Sequence, residues 1–181
     1  MNGWYVIAVI VLLHGFGVSG CQTKEEDLLK AARKDTLPVE RLHNAEIFYR
    51  DSFQLKAILM TPLMERYHGD QPRTVMPHGV KLRFFNRHRQ VTTSLTAGWA
   101  ISREHDRIME ARNDVVVVNE KNEILNTEHL IWDERTRRIR SDAFVRIRTH
   151  EEIIFGEGLD ASEDFSWYQI RNVKGTITLK E

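Results

Sequence analysis

The chain has 181 residues, carries 26 basic against 26 acidic side chains, and is 41% hydrophobic. Neutral charge at a pI near 7.1 excludes a general nucleic-acid binder, which needs a basic surplus. One cysteine excludes an internal disulfide framework and a cysteine-based zinc site, and four prolines within that apolar content exclude global disorder.

The chain begins with an uninterrupted apolar run, Trp4–Leu13. A membrane-spanning helix needs about 20 such residues, whereas the apolar region of a signal peptide needs about 7–15. Small residues follow, and Val18-Ser19-Gly20-Cys21 resembles a bacterial lipobox. Ser19 and Gly20 suit a peptidase cleft, and the Cys21 thiol is the nucleophile for acylation. No Lys or Arg precedes the run, and Val18 stands where Leu is commoner. The expectation is a lipoprotein signal peptide over residues 1–20, lipidation at Cys21 and a compartment outside the cytoplasm. The alternative is an uncleaved anchor helix with an incidental cysteine. Gln22–Lys34 is polar, with Leu28, Leu29, Ala31 and Ala32 spaced for a short helix that Pro38 stops. Residues 21–39 therefore read as a tether, and residues 40–181 as one domain.

From Ala45 the pattern turns to period two. The first strand is expected over Ala45–Arg50. Val80, Leu82 and Phe84 alternate with Lys81, Arg83 and Phe85. Val115–Val118 is β-branched throughout. In Arg138–Arg148, Ile139, Ser141, Ala143, Val145 and Ile147 share one parity, against a charged parity with Phe144 as its single intruder. Gly175–Lys180 places Ile177 and Leu179 on one side. Reversals are predicted at Arg50–Ser52, Asn119–Glu123, Asp133–Arg137 and Thr149–Glu152, and Arg103–Arg112 reads as a turn or a short helix. Strands of about 6–10 residues with turn signals between them predict an all-β sandwich, roll or barrel. No βαβ alternation is present.

The chemistry-bearing residues point to no reaction. None of the eight histidines stands in metal-ligand spacing. Glu151-Glu152 and Glu163-Asp164 are adjacent carboxylates, which a strand would send to opposite faces. Arg135, Arg137, Arg138 and Arg140 are dense enough to attract an anionic headgroup, or they form a solvated strand face. Gly156-Glu157-Gly158 reads as a bulge or turn where the backbone must stay bare. The expectation is a non-enzymatic protein with no metal and no cofactor.

Several segments, taken in order, carry a resemblance. They are Ala45–Ser52 (AEIFYRDS), Leu63–Tyr67 (LMERY), Met76–Val80 (MPHGV), Leu82–Asn86 (LRFFN) and Ser94–Ala97 (SLTA). Asn113–Asn119 (NDVVVVN), Leu125–Asp133 (LNTEHLIWD), Ile139–Asp142 (IRSD), Gly156–Leu159 (GEGL) and Asp164-Phe165 complete the set. In this order and spacing they resemble the LptC family, periplasmic components of lipopolysaccharide export, over about Ala45 to Gly175. The lipobox is a departure, since many family members keep a spanning helix.

The resemblance implies an open antiparallel β-jellyroll of two sheets packed as a V around an apolar groove. It implies that lipopolysaccharide is accepted from the inner-membrane LptBFG ABC transporter, the permease and ATPase complex, and passed to an LptA-like periplasmic bridge protein. The apolar-parity positions expected to line such a groove are Met76, Val80, Leu82, Phe84, Leu95 and Ala97. With them stand Val116, Val118, Leu130, Trp132, Ile139, Val145 and Ile147. An ordinary dry core has the same alternation, so sequence leaves groove and core both open at each position. Family domains join by strand addition at open edges. Ile47 and Tyr49 on the first strand are assigned to the permease side, and Ile177 and Leu179 on the last to the LptA side; a capped, idle last edge is the alternative. The competing function is an envelope scaffold lipoprotein whose filled sandwich binds no lipid.

Overall fold

The computed structural model describes residues 40–179. The expected signal peptide, Cys21, the tether and Lys180 lie outside the described residues. The described part is built of strands: β1 (Glu40–Asp51), β2 (Gln54–Tyr67), β3 (Arg73–Met76), β4 (Val80–Phe85), β5 (Val91–Ala97), β6 (Trp99–Arg103), β7 (Ile108–Val118), β8 (Ile124–Asp133), β9 (Arg138–Arg148), β10 (Glu152–Ser162) and β11 (Tyr168–Thr178). Every pairing is antiparallel. Among the described residues no helix is long and apolar enough to cross a membrane.

β2 and β7 organise the roll. One side of β2 pairs with β1; the other pairs first with β4 at Ala57–Met60 and then with β3 at Glu65–Tyr67. β7 likewise has β8 on one side, and on the other β6 at Ile108–Arg112 followed by β5 at Val116–Val118. Because β3 joins β6 and β4 joins β5, the pairings close a ring between β2 and β7. One sheet thus becomes two layers facing across a core, the β-jellyroll architecture. β9, β10 and β11 extend it beyond β8 in chain order.

The layers part where the long strands bend. Pro62, which has no N–H for the ladder, interrupts β2 opposite Asn44, whose φ is 51°. Asn113 and Asp114 break β7 with φ of 65° and 53°; Asn and Asp are the side chains best tolerated in that region. Buried hydroxyls serve carbonyls near the bends and in the turn between β3 and β4. Thr61 Oγ1 donates to the Gly79 carbonyl at 2.7 Å, Thr127 Oγ1 to Phe144 at 2.9 Å, and Ser141 Oγ to His129 at 2.7 Å.

All four predicted reversals are hairpin turns between strands, and Arg103–Arg112 is a hairpin and not a helix. Its turn has Arg107 at φ 55°. The first strand begins at Glu40, earlier than Ala45, because pairing with β2 resumes beyond the Asn44 bend. Strand lengths run from 4 residues in β3 to 14 in β2, wider than the predicted range.

One correction concerns β7. Val115 and Val117 are buried in the core, while Val116 and Val118 are only half-buried. Cross-strand partners share a face, and Val117 lies between Leu95 and Leu125, whereas Val116 lies between Thr96 and Asn126. Four consecutive valines carry no alternation, so the neighbours' register decides which two point inward. Val116 and Val118 therefore do not line the interior.

Candidate functional site

The interior between the two layers is not uniform. At the end near the β1–β2 hairpin it opens into a cavity of about 760 Å³. Its apolar walls come from Ile47 on β1, Ala57, Leu59 and Met64 on β2, Met76 on β3, Leu82 and Phe84 on β4, Met109 on β7 and Trp132 on β8. Three of these are methionines, whose unbranched chains adapt to an irregular guest. Farther in, between Val80, Leu95, Ala100, Leu130 and Ile139, the free space falls to about 40 Å³. Beyond that, around Leu125, Ile147 and Tyr168, it is about 10 Å³. The roll is hollow at one end and packed at the other.

The hollow end has a polar rim: Arg50, Lys56, Arg103 and Arg107 with Asp51, Glu104 and Glu134. Arg107 Nη2 holds Glu134 at 2.9 Å. Tyr49 lines the cavity as well, and burial, then the nearby Glu104 charge, push its phenol pKa up against the pull of Arg66, so it stays a neutral donor. Arg66 shares the inward parity of Met64. Its Nη1 donates to Glu40 at 3.0 Å, while its Nε is buried without a partner. Trp132 stands edge-on to Phe84, with ring centroids 6.3 Å apart at 87°. Its Nε1 is also buried without a partner.

The expected groove positions divide along this gradient. Met76, Leu82, Phe84 and Trp132 line the open cavity. Val80, Leu95, Leu130 and Ile139 line the narrow middle, and Ile147 lies at the packed end. Val145 is 0% exposed and belongs to the dry core. Ala97 borders a shallow outer depression with Asn44 and His78. Tyr49 and Ile47 face the cavity through their side chains, while the backbone of β1 pairs with β2 alone among the described strands.

β11 is the opposite margin and pairs only with β10. The Leu179 amide donates to the Glu151 carbonyl at 2.7 Å, just beyond the end of the strand. By alternation the Ile177 amide faces β10 too, so the amides on the open edge are those of Thr176 and Thr178. Ile177 and Leu179 thus secure β11 to the roll instead of supplying its free donors.

Sequence reasoning missed Phe165. The β10–β11 loop folds this ring inward, 7% exposed, between the narrow middle and the packed end. Its φ of 55° is unusual for a bulky residue. The turn is held by Asp164 Oδ1, which accepts from Ser162 Oγ at 2.7 Å, Ser166 Oγ at 2.8 Å and the Ser166 amide at 3.0 Å. Those hydrogen bonds, the one from Ser162 foremost, hold the Asp164 carboxyl below its ordinary pKa. The available signal was the run Ser162-Glu163-Asp164-Phe165-Ser166, a set of turn formers around an aromatic.

Two charged groups lie outside the cavity. Glu110 is 5% exposed, yet its strand neighbours Met109 and Ala111 face inward, so it points outward. Burial raises its pKa, but hydrogen bonds from Arg112, His129 and Arg103 outweigh this and leave it below the ordinary value. The arginines of the β8–β9 hairpin are also engaged. Arg137 binds Glu163, Arg140 approaches Asp160 at 3.4 Å, Arg135 approaches Asp133 at 3.8 Å, and Arg138 stacks on Trp167. They form a paired, solvated face and leave no cluster of free cations for a headgroup.

The fold and its cavity define an all-β domain with an apolar pocket open at one end. The family model "Lipopolysaccharide-assembly, LptC-related" matches residues 5–178, and the chain belongs to that family. Membership implies a role in lipopolysaccharide transport and a place in the cell envelope facing the periplasm. A search of the curated proteins returned no match.

Proposed function

We propose that this protein takes lipopolysaccharide from the inner-membrane LptBFG transporter, shelters its acyl chains in the cavity walled by β1, β2, β3, β4, β7 and β8, and passes it to an LptA-like bridge protein. It acts without catalysis. The observation that carries this reading is the 760 Å³ cavity with apolar walls and a charged rim, in a roll otherwise packed to its far end. That volume lies within the roughly 300–1,000 Å³ of ligand pockets. Each methylene sheltered there contributes about 0.8 kcal/mol, while sugars and phosphates stay in water at the rim. Acylated Cys21 tethers the domain to the periplasmic face of the inner membrane, and residues 21–39 give it reach.

The test is photo-crosslinking from Phe84 and Trp132 in cells, with Val116 on the outer face as control. Lipopolysaccharide adducts at the two interior positions and none at Val116 are expected. Adducts absent from every cavity position would overturn the lipid-carrier reading.

β1 is proposed to meet the permease and β11 the bridge protein, each by strand addition, because each strand pairs on one side only among the described residues. Thr176→Pro removes an edge-facing donor without touching the ladder to β10. Capture of an LptA-like partner should fall at least about tenfold, from the lost hydrogen bond and the steric clash of the ring. Unchanged capture by a folded variant rules out the β11 assignment.

A further inference from the structure

Among the described residues, ten residues other than glycine have left-handed backbone, and eight of them are polar or charged. The two exceptions are phenylalanines. Phe165 is accounted for, since its ring fills the interior at 7% exposure. Phe53 has no such reason. It stands at φ 69° in the turn between β1 and β2 and is fully exposed at 101%, against 57% for Val173, the next most exposed large apolar side chain. Ser52, at φ 47°, is the other member of this two-residue reversal, which Asp51 and Gln54 close as a pair. Asn-Gly or Asp-Gly meets such a reversal with least strain. A bulky side chain there strains the backbone and leaves its whole apolar surface in water, a combination that persists where function uses it.

We infer that the β1–β2 turn is a membrane-docking tip, with Phe53 entering the interface of a phospholipid bilayer. This rests on the reading of the domain as a membrane-tethered lipid carrier and adds to it an orientation. Three observations favour a bilayer over a protein socket. Phe48 and Tyr49 are also exposed on this hairpin, Arg50 stacks on the Phe48 ring at 5.7 Å, and Lys56 lines the same rim. Rings mixed with basic side chains are the composition of a membrane interface. Asp51 and Glu104 on the rim offset the charges of Arg50 and Lys56, so the rings, and not an anionic surface, supply the attachment. The chain ahead of β1 is also long enough. Residues 21–39 span at most about 60 Å when extended, and β1 runs about 40 Å from Glu40 to the tip, so a domain attached at residue 21 can turn its tip to the same bilayer. Finally, Tyr49, Arg50, Asp51 and Lys56 line the cavity at this end, so a docked tip turns the mouth of the hollow toward the bilayer.

The test is an aliphatic diazirine amino acid at Gln54, beside an intact Phe53, in the full-length protein in cells. A second one at Lys121, exposed in the β7–β8 turn at the packed end, is the control. Phospholipid adducts at position 54 should exceed those at position 121 by at least about tenfold. Phe53→Gly should bring position 54 down to the level of position 121, while Phe53→Trp keeps the yield, because the interface accepts either ring. Glycine takes the left-handed turn freely, so the melting temperature of Phe53→Gly should be no lower than that of the wild type, and its lost adducts are then not lost fold. Equal phospholipid yields at positions 54 and 121 overturn the inference, as does a yield at 54 that Phe53→Gly leaves unchanged. Adducts at 54 to a protein alone mean a protein socket, and adducts to lipopolysaccharide alone mean that the tip belongs to the cargo path; each also overturns it. All of these outcomes spare the lipid-carrier reading, which stands or falls on the adducts at Phe84 and Trp132.

Discussion

Gly156→Ala is expected to destabilise the domain by about 3 kcal/mol and to lower its melting temperature by roughly 10 °C. A Cβ at this position would stand 2.8 Å from Ile170 Cγ2 and 2.9 Å from the Asn172 carbonyl carbon, and would overlap the Asn172 oxygen. The obstruction is backbone of the paired strand β11, which has no rotamer to change. β10 and β11 shift register beside this glycine, at Phe155/Gly156, and the close approach is what the bare backbone allows. Relief requires β11 to move away, so the loss should be concentrated in that strand. Amide exchange should show β11 losing protection before β9. Gly158 makes the contrast. Its φ is 79°, and the atoms nearest to an added Cβ would be those of the Arg171 guanidinium, the far end of a flexible side chain. Gly158→Ala should cost about 1 kcal/mol, from backbone strain. A melting temperature for Gly156→Ala within about 2 °C of wild type would show that the two strands do not lie this close.

Phe165→Ala should cost about 3 kcal/mol, measured by urea unfolding, and should also change what the interior admits. The ring fills the boundary between the narrow middle and the packed end, so its loss leaves a void bordered by Val117, Ile139, Leu125 and Ile147. The hydrogen bonds to Asp164 Oδ1 do not involve the ring, so the turn keeps its shape and the cavity should persist. A photo-crosslinker at Leu125, silent toward lipid in the wild type, should then form lipid adducts. Stability within about 1 kcal/mol of wild type, with Leu125 still silent, would mean that the ring does not fill the boundary between the narrow middle and the packed end.

Particular segments show why much of this fold was legible. Arg138–Arg148 alternates because one face of β9 meets the core and the other meets water, and the structure keeps that phase: Ile139, Ser141, Val145 and Ile147 inward, Phe144 outward at 53% exposure. Turns at Asn119–Glu123 and Asp133–Arg137 were readable because Asn and Asp side chains cap their own reversals. Asn119 Oδ1 accepts from the Lys121 and Glu123 amides, and Asp133 Oδ1 from those of Arg135 and Thr136. Gly156 and Gly158 were readable as bare-backbone positions, though nothing local told which of them faces a neighbouring strand and which a side chain.

Where the local signal was silent, the partner strand decided. Val115–Val118 offers two equivalent faces, and only pairing with Leu95 and Leu125 selects Val115 and Val117 for the core. Ile177 and Leu179 were readable as the apolar side of the last strand, but the direction of their amides depends on how β11 lies on β10. Local chemistry along the chain was enough to establish an all-β domain, its turns and the apolar face of most strands, because burial of one face imprints a period of two. The position of the hollow was settled only by tertiary structure. Met76 and Val145 have the same inward phase, yet one lines a cavity and the other is sealed, since free volume depends on how far two layers diverge and on a ring brought in from a distant loop.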